Sequence, residues 1–373
     1  MKVNPGPRSL SLDVFRGMTV CFMIIVNNPG DWGNIYAPLE HASWHGLTPT
    51  DLVFPSFLFA VGNAMSFSLK KYSELGNAAL IRKILVRTLL IFAIGVLLFW
   101  FPFYNFDKDP ATFRPFSHVR IFGVLQRIAL CYCFASLMVH FLFTRWVIIT
   151  SAILLVGYWA VLLLFADASG PLSMTGNAGA RLDTFLLGND HLYHGEGVPF
   201  DPEGILSTLP AIVNVIIGYY AGRLVQLKGK GYDTLTMLLL SGCLAIFAAL
   251  CWNMVLPINK KLWTSSFVLV TSGTDLIILA FLIFCLELKN WNNGNWTYFF
   301  LVFGRNTLFI YVLSDLLVQL LYAGPAIGWK ANQWIGRYIS HGKPGSLLYA
   351  VLYMLLCWSI GWILDKRKIY IKI

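Results

Sequence analysis

His41 and His45 stand four residues apart in the stretch HASWHGLTPTDLVFPSFLFAVGN, residues 41–63, and Asp51 follows ten residues after His41. Imidazole is the side chain best poised to move protons near neutral pH. Asp51 opens a strongly apolar run, where a helix N-terminus favours a carboxylate. If the chain folds back over it, that carboxylate can orient an imidazole. Asn27 and Asn28 close the preceding apolar run, so these five side chains can share one vestibule at the end of two helices. Such a set could deprotonate an amine or hydroxyl and stabilise an oxyanion. The competing reading is a polar cap on a membrane helix. A metal site would need a third ligand from His191 or His194, and no metal is expected.

A second group of polar residues lies inside apolar runs: Asp13, Arg16, Arg87, Arg120, Arg127, Asp275, Arg305 and Asp315. Ionisable groups in such places usually face a bundle interior or a water-filled cavity. Asp13 and Arg16, spaced i, i+3, are expected to pair. Arg120 and Arg127, seven apart, are expected on one helix face. Two guanidiniums aimed into one cavity call for an anion, because unpaired buried charge is expensive. A phosphorylated cofactor could supply it, and so could acids such as Asp51, Asp275 or Asp315.

The elements that must position these groups are membrane helices. Of 373 residues, 57% are hydrophobic and 12% charged, against about 25% charged in soluble domains. Runs of about 20 apolar residues, the length that spans a bilayer, fall near 12–28, 50–69, 84–103, 120–143 and 146–166. Five more fall near 205–226, 234–256, 266–286, 297–321 and 346–364. The expected fold is all-α and polytopic, with about ten transmembrane helices. With both termini cytoplasmic, the inner segments hold nearly twice the Lys and Arg of the outer ones, as the positive-inside rule requires. The net charge of +10 then reports topology and lipid contact, without nucleic acid. The first apolar segment shows no persuasive small-residue cleavage site and is read as retained. The seven cysteines lie almost all in apolar runs and suggest neither disulfides nor zinc. Residues 167–204 form an outward loop too long to be mere connection.

Five stretches, SLDVFRG, IIVNNPG, HASWHGLTPTDLVFPSFLFAVGNAMS, FDPEGILSTLPAIVNVIIGYYAGRL and FGRNTLFIYVLSD, resemble the heparan-α-glucosaminide N-acetyltransferase family. The resemblance runs from about residue 8 to 364 and implies one transmembrane acyltransferase domain over that range. It implies ten or eleven spans and transfer of acetyl from cytoplasmic acetyl-CoA to a terminal glucosamine across the membrane. It assigns the catalytic histidine to His41, the conserved aspartate to Asp51 and the asparagine closing the first span to Asn27, with Asn28 as the alternative. Arg120, Arg127 and Arg305 become candidate acetyl-CoA contacts. Asn28, Trp44, His45 and Glu203 become candidate contacts to the acceptor, an amino sugar or glycan. His45 stands where the family motif has Asn, and the loop after Asn27 is slightly longer, so acceptor identity stays open. The resemblance further implies a bacterial inner-membrane homologue lacking the animal enzyme's N-terminal lumenal domain, in contact with lipid and with a homodimer among its expected assemblies. Rival readings are a sugar transporter, which would also want broken helices around a polar cavity, and an O-acyltransferase of a cell-envelope glycan.

Overall fold

The computed structural model describes residues 10–73, 76–105, 112–292, 294–322 and 327–371. The expected domain start at residue 8, and the charges Lys2, Arg8, Lys108 and Lys372 used in the topology argument, lie outside the described residues. The chain is an all-α polytopic membrane protein. Nine described helices are long and apolar enough to cross a bilayer, or ten when one sharply bent pair counts as a single span. They are α1 (Leu10–Asn27), α2 (Val53–Ser73), α3 (Asn77–Trp100), α4 (Val124–Phe141), α5 (Thr144–Leu164), α7 (Thr208–Lys228), α8 (Tyr232–Asn253), α9 (Ser265–Ile283, continued by a π-turn to Leu288) and α13 (Gly342–Lys366). The bent pair is α10 (Asn295–Arg305) and α11 (Thr307–Tyr322). Between them lie α6 (Ala178–Leu187), α12 (Ile327–Tyr338) and a small hairpin, β1 (Tyr104–Asn105) against β2 (Thr112–Phe113).

Composition sorts the helices into layers. α1, α2, α7 and α9 carry most of the intramembrane polar residues and are mostly buried, whereas α3, α5 and α8 leave most of their Leu, Ile and Phe surface uncovered. An apolar surface on every side suits a helix that meets lipid. At the centre α2 packs on α7 backbone to backbone. Any side chain at Gly62 would strike the Val215 carbonyl, and any at Gly218 would strike that of Phe59. Small residues allow this approach where dispersion drives helix association.

Three features depart from the sequence-based expectation. The fourth span begins at Val124, so Arg120 stands in the loop before the helix and not on one face with Arg127. The span expected at 297–321 is broken by 80° between Arg305 and Asn306. Asn306 is buried there, donating to the Ile369 carbonyl and accepting from the Ile371 amide, so the C-terminal segment satisfies the break. The 167–204 loop holds α6, whose N-cap Asn177 accepts from Ala180 N–H, a bond that satisfies an otherwise orphaned donor. The Asp13–Arg16 pair forms as expected.

Candidate active site

Asp51 is fixed before any partner is considered. Pro49–Leu52 forms a 3₁₀ turn leading into α2, with Thr48 as its N-cap. The backbone amides of Ala42 and Thr48 donate to Asp51 Oδ2 at 3.1 and 3.0 Å, and the side chain is 1% exposed. The amide of Ala42 thereby draws residue 41 over the carboxylate. His41 Nδ1 lies 2.8 Å from Asp51 Oδ1. A carboxylate that collects N–H donors is an acceptor, so Nδ1 carries the proton and Nε2 is the unprotonated nitrogen. The His41 side chain remains 41% exposed.

His41 borders a cavity of about 130 Å³ whose other polar lining residues are Asn27, Thr50, Glu203, Lys260 and Tyr311, walled by apolar groups including Phe54 and Phe57. Asn27 is the member of the asparagine pair that reaches this cavity. Asn28 is buried, with its amide turned back to donate to the Ile24 carbonyl.

Lys260, one of two adjacent lysines in a loop, joins the site with no local sequence signal to mark it. Its loop between α8 and α9 is held by the buried Asn259, which donates N–H to Thr264 Oγ1 and accepts from Leu262 N–H. Lys260 Nζ lies 3.0 and 3.3 Å from the two ring nitrogens of His41 and 3.6 Å from Asp51 Oδ1. Burial pushes the Lys260 pKa down, against the opposing pull of Asp51 and Glu203.

Glu203 is presented by a segment that Arg120 organises. Arg120 holds Asp201 with two bonds, at 3.0 and 2.6 Å, and Glu203 with one at 2.6 Å. Its guanidinium also packs on the rings of Phe99 and Tyr193. Burial alone would raise Glu203, but Arg120 and then Arg127 hold its carboxyl below the ordinary range. Arg127 is fully buried, donates to the Gly204 carbonyl and Ser207 Oγ, and lies over the Trp263 ring. Both arginines therefore converge on residues 201–207; the acids that pair with Arg120 are Asp201 and Glu203 rather than Asp51, Asp275 or Asp315, and Arg127 bonds a carbonyl and a hydroxyl. Arg127 Nε and Nη1 have no partner among the described residues.

The remaining candidates sit apart from the cavity. Trp44 donates its indole N–H to the Leu172 carbonyl and packs on Phe200, pinning the 29–52 segment to the 167–204 loop. His45 lies beside Asn259, and burial lowers its pKa. Arg305 pairs with Asp365 at 2.8 and 3.0 Å and borders neither cavity described here. Among the described residues, no three His, Cys, Asp or Glu side chains group to hold a metal ion.

A second cavity, of about 350 Å³, opens between the far ends of α2, α4 and α7, lined by Ser66, His140, Tyr219, Arg223 and Gln226 among others. Thus α2 and α4 border the cavity at the His41 end and, with α7, the one at the opposite end.

Asp183 on α6 is nearly fully buried and accepts the Ile205 amide at 2.9 Å, bracing the segment that carries Glu203. Burial pushes its pKa from an ordinary 3.8 up to about 7. A carboxyl raised on folding costs no stability below its unfolded pKa. The cost grows from about pH 4 to pH 7 and is constant above. Asp183→Asn, which keeps the acceptor oxygen, is therefore expected to raise stability at pH 8 by up to about 4 kcal/mol. The gain should shrink toward pH 5, read by thermal unfolding in detergent micelles at both pH values.

A family model described as "Heparan-alpha-glucosaminide N-acetyltransferase, catalytic" matches residues 8–235. The human protein named heparan-alpha-glucosaminide N-acetyltransferase is 29% identical over 428 aligned positions, covering 98% of this chain and 60% of the human one. The mouse protein of that name is 28% identical, covering 97% of this chain and 60% of its own length. The chain thus spans about 60% of the length of these curated relatives. The matched range takes in Asn27, His41, Asp51, Arg120, Arg127 and Glu203, and it covers more than half of this membrane protein, which belongs to the heparan-alpha-glucosaminide N-acetyltransferase catalytic family.

Proposed function

We propose that the chain is an acetyl-CoA-dependent N-acetyltransferase that acylates the amine of glucosamine or of a terminal glucosamine on a glycan. The observation that carries this reading is His41. Its Nδ1 is fixed on a buried carboxylate, and its ring borders a cavity the size of a small polar substrate. In the proposed orientation, supported by the Lys and Arg bias, both termini are cytoplasmic and the His41 cavity faces outward. Acetyl-CoA then enters from the 350 Å³ cavity, where Arg223, Gln226, Tyr219 and His140 offer donors suited to phosphate and adenine. The single domain spans residues 8–364 in this reading.

The geometry supports the following chemistry. The acceptor nitrogen attacks the thioester carbonyl while His41 Nε2 takes a proton from it, and Asp51 steadies the imidazolium that forms. Asn27 donates to the carbonyl oxygen as charge develops there. His41 then returns the proton to the departing sulfur. Glu203, kept ionised by Arg120, gives a cationic amine somewhere to dock.

Protein purified into nanodiscs, supplied with acetyl-CoA and glucosamine, is expected to release CoA thiol in proportion to N-acetylglucosamine formed, read by thiol titration and mass spectrometry. Sugar flux into proteoliposomes without thiol release would make this a transporter. Thiol release only with hydroxyl acceptors would make it an O-acyltransferase.

A further inference from the structure

Proton balance makes a demand that one histidine does not meet. An amino sugar arrives as –NH₃⁺ and leaves as –NH–CO–CH₃, so two protons depart from nitrogen. One ends on the CoA sulfur, and the other is released. The first must leave before nitrogen has a lone pair with which to attack. The second leaves as the C–N bond forms, and His41 carries it to sulfur. A second acceptor is needed for the first.

The cavity offers Glu203 and Lys260. Glu203 is the poorer base, since Arg120 holds its carboxylate in a 2.6 Å ion pair. Lys260 borders the same cavity with its side chain 18% exposed. The charged and titratable groups facing it are His41 and Asp51 from the segment leading into α2, Glu203 from the segment before α7, and Lys261 on its own loop. Lys261 is itself engaged with Glu196 at 2.6 Å. Contact with both nitrogens of His41 puts the amine beside the base that acts second.

Building on the acetyltransferase reading, we propose that Lys260 is the first proton acceptor. Its neutral Nζ takes one proton from the bound acceptor ammonium and becomes an ammonium paired with Asp51. The freed amine attacks the acetyl carbon, His41 Nε2 takes the second proton, and that proton goes to sulfur as the C–S bond breaks. Lys260 then gives its proton to water on its own side of the membrane. The net products are amide, CoA thiol and one proton. Burial, which lowers the Lys260 pKa, favours the neutral form this step requires.

The test is the pH profile of two variants. Lys260→Met removes the base, whereas Lys260→Arg keeps a cation that stays protonated. With glucosamine near pH 7, each is expected to lower kcat by about 10²-fold. That deficit relative to wild type should close toward pH 9, where free amine predominates, with the KM for acetyl-CoA unchanged. Lys260→Arg serves as the readout if Lys260→Met does not fold. A deficit constant across pH, or no deficit in a folded variant, overturns the assignment. Failure of the underlying acetyltransferase reading would look different, because wild-type protein itself would then show no acceptor-dependent thiol release.

Discussion

His41→Ala is expected to lower acceptor-dependent turnover by about 10²–10⁴-fold, the usual span for losing a general base, with much smaller change in CoA affinity. The fold should survive. Asp51 keeps the amides of Ala42 and Thr48 and the nearby Lys260 when the imidazole is removed, so no buried carboxylate is stranded. The measurement is thiol release by variant and wild type at matched melting temperature. A folded His41→Ala protein with normal turnover would remove His41 from the mechanism. A labelled acetyl group retained by acceptor-free wild type and lost in the variant would instead make the imidazole a nucleophile.

Arg120→Met is expected to be the most damaging single change to stability. The guanidinium serves two buried carboxylates at once, Asp201 with its side chain wholly inaccessible and Glu203 at 14% exposure. Removing one partner of a buried ion pair typically costs about 3–5 kcal/mol, because the remaining charge is left uncompensated. Thermal unfolding in detergent should show this loss at pH 7. Adding Asp201→Asn and Glu203→Gln should recover part of it, since neutral amides need no counter-charge. Equal melting of wild type and Arg120→Met would show that the network carries little stability.

What the sequence disclosed divides along physical lines. Spans were legible because twenty-residue apolar runs leave little choice of structure in a bilayer. His41 and Asp51 were legible chiefly through the family motif they match; their spacing left the contact open, and the 3₁₀ turn before α2 is what brings them together. Lys260 was not, since it lies 219 residues from His41 and nothing local marks a lysine as facing inward. The role of Arg120 was misplaced for a related reason. Its partners 81 and 83 residues away decide its direction, and the helix that was to carry it starts four residues later. α12 carries no long apolar run to mark it in the sequence, and it packs against α11 and α13. The break at Asn306 required knowing that the C-terminal backbone returns to supply its two hydrogen bonds.

The contact between α2 and α7 also limits how the molecule can move. Two helices touching through main-chain atoms at Gly62 and Gly218 have no layer of side chains between them to reshuffle. Sliding or rocking across that seam would open voids or force carbonyls together, so the pair travels as a single stiff plank. In the proposed acetyltransferase reading, breathing that admits an acyl donor comes instead from the side of α4. There Met65 and Ser136 meet across side chains, and a rotamer change can widen the passage while the plank, which carries Asp51 at one end, keeps its place.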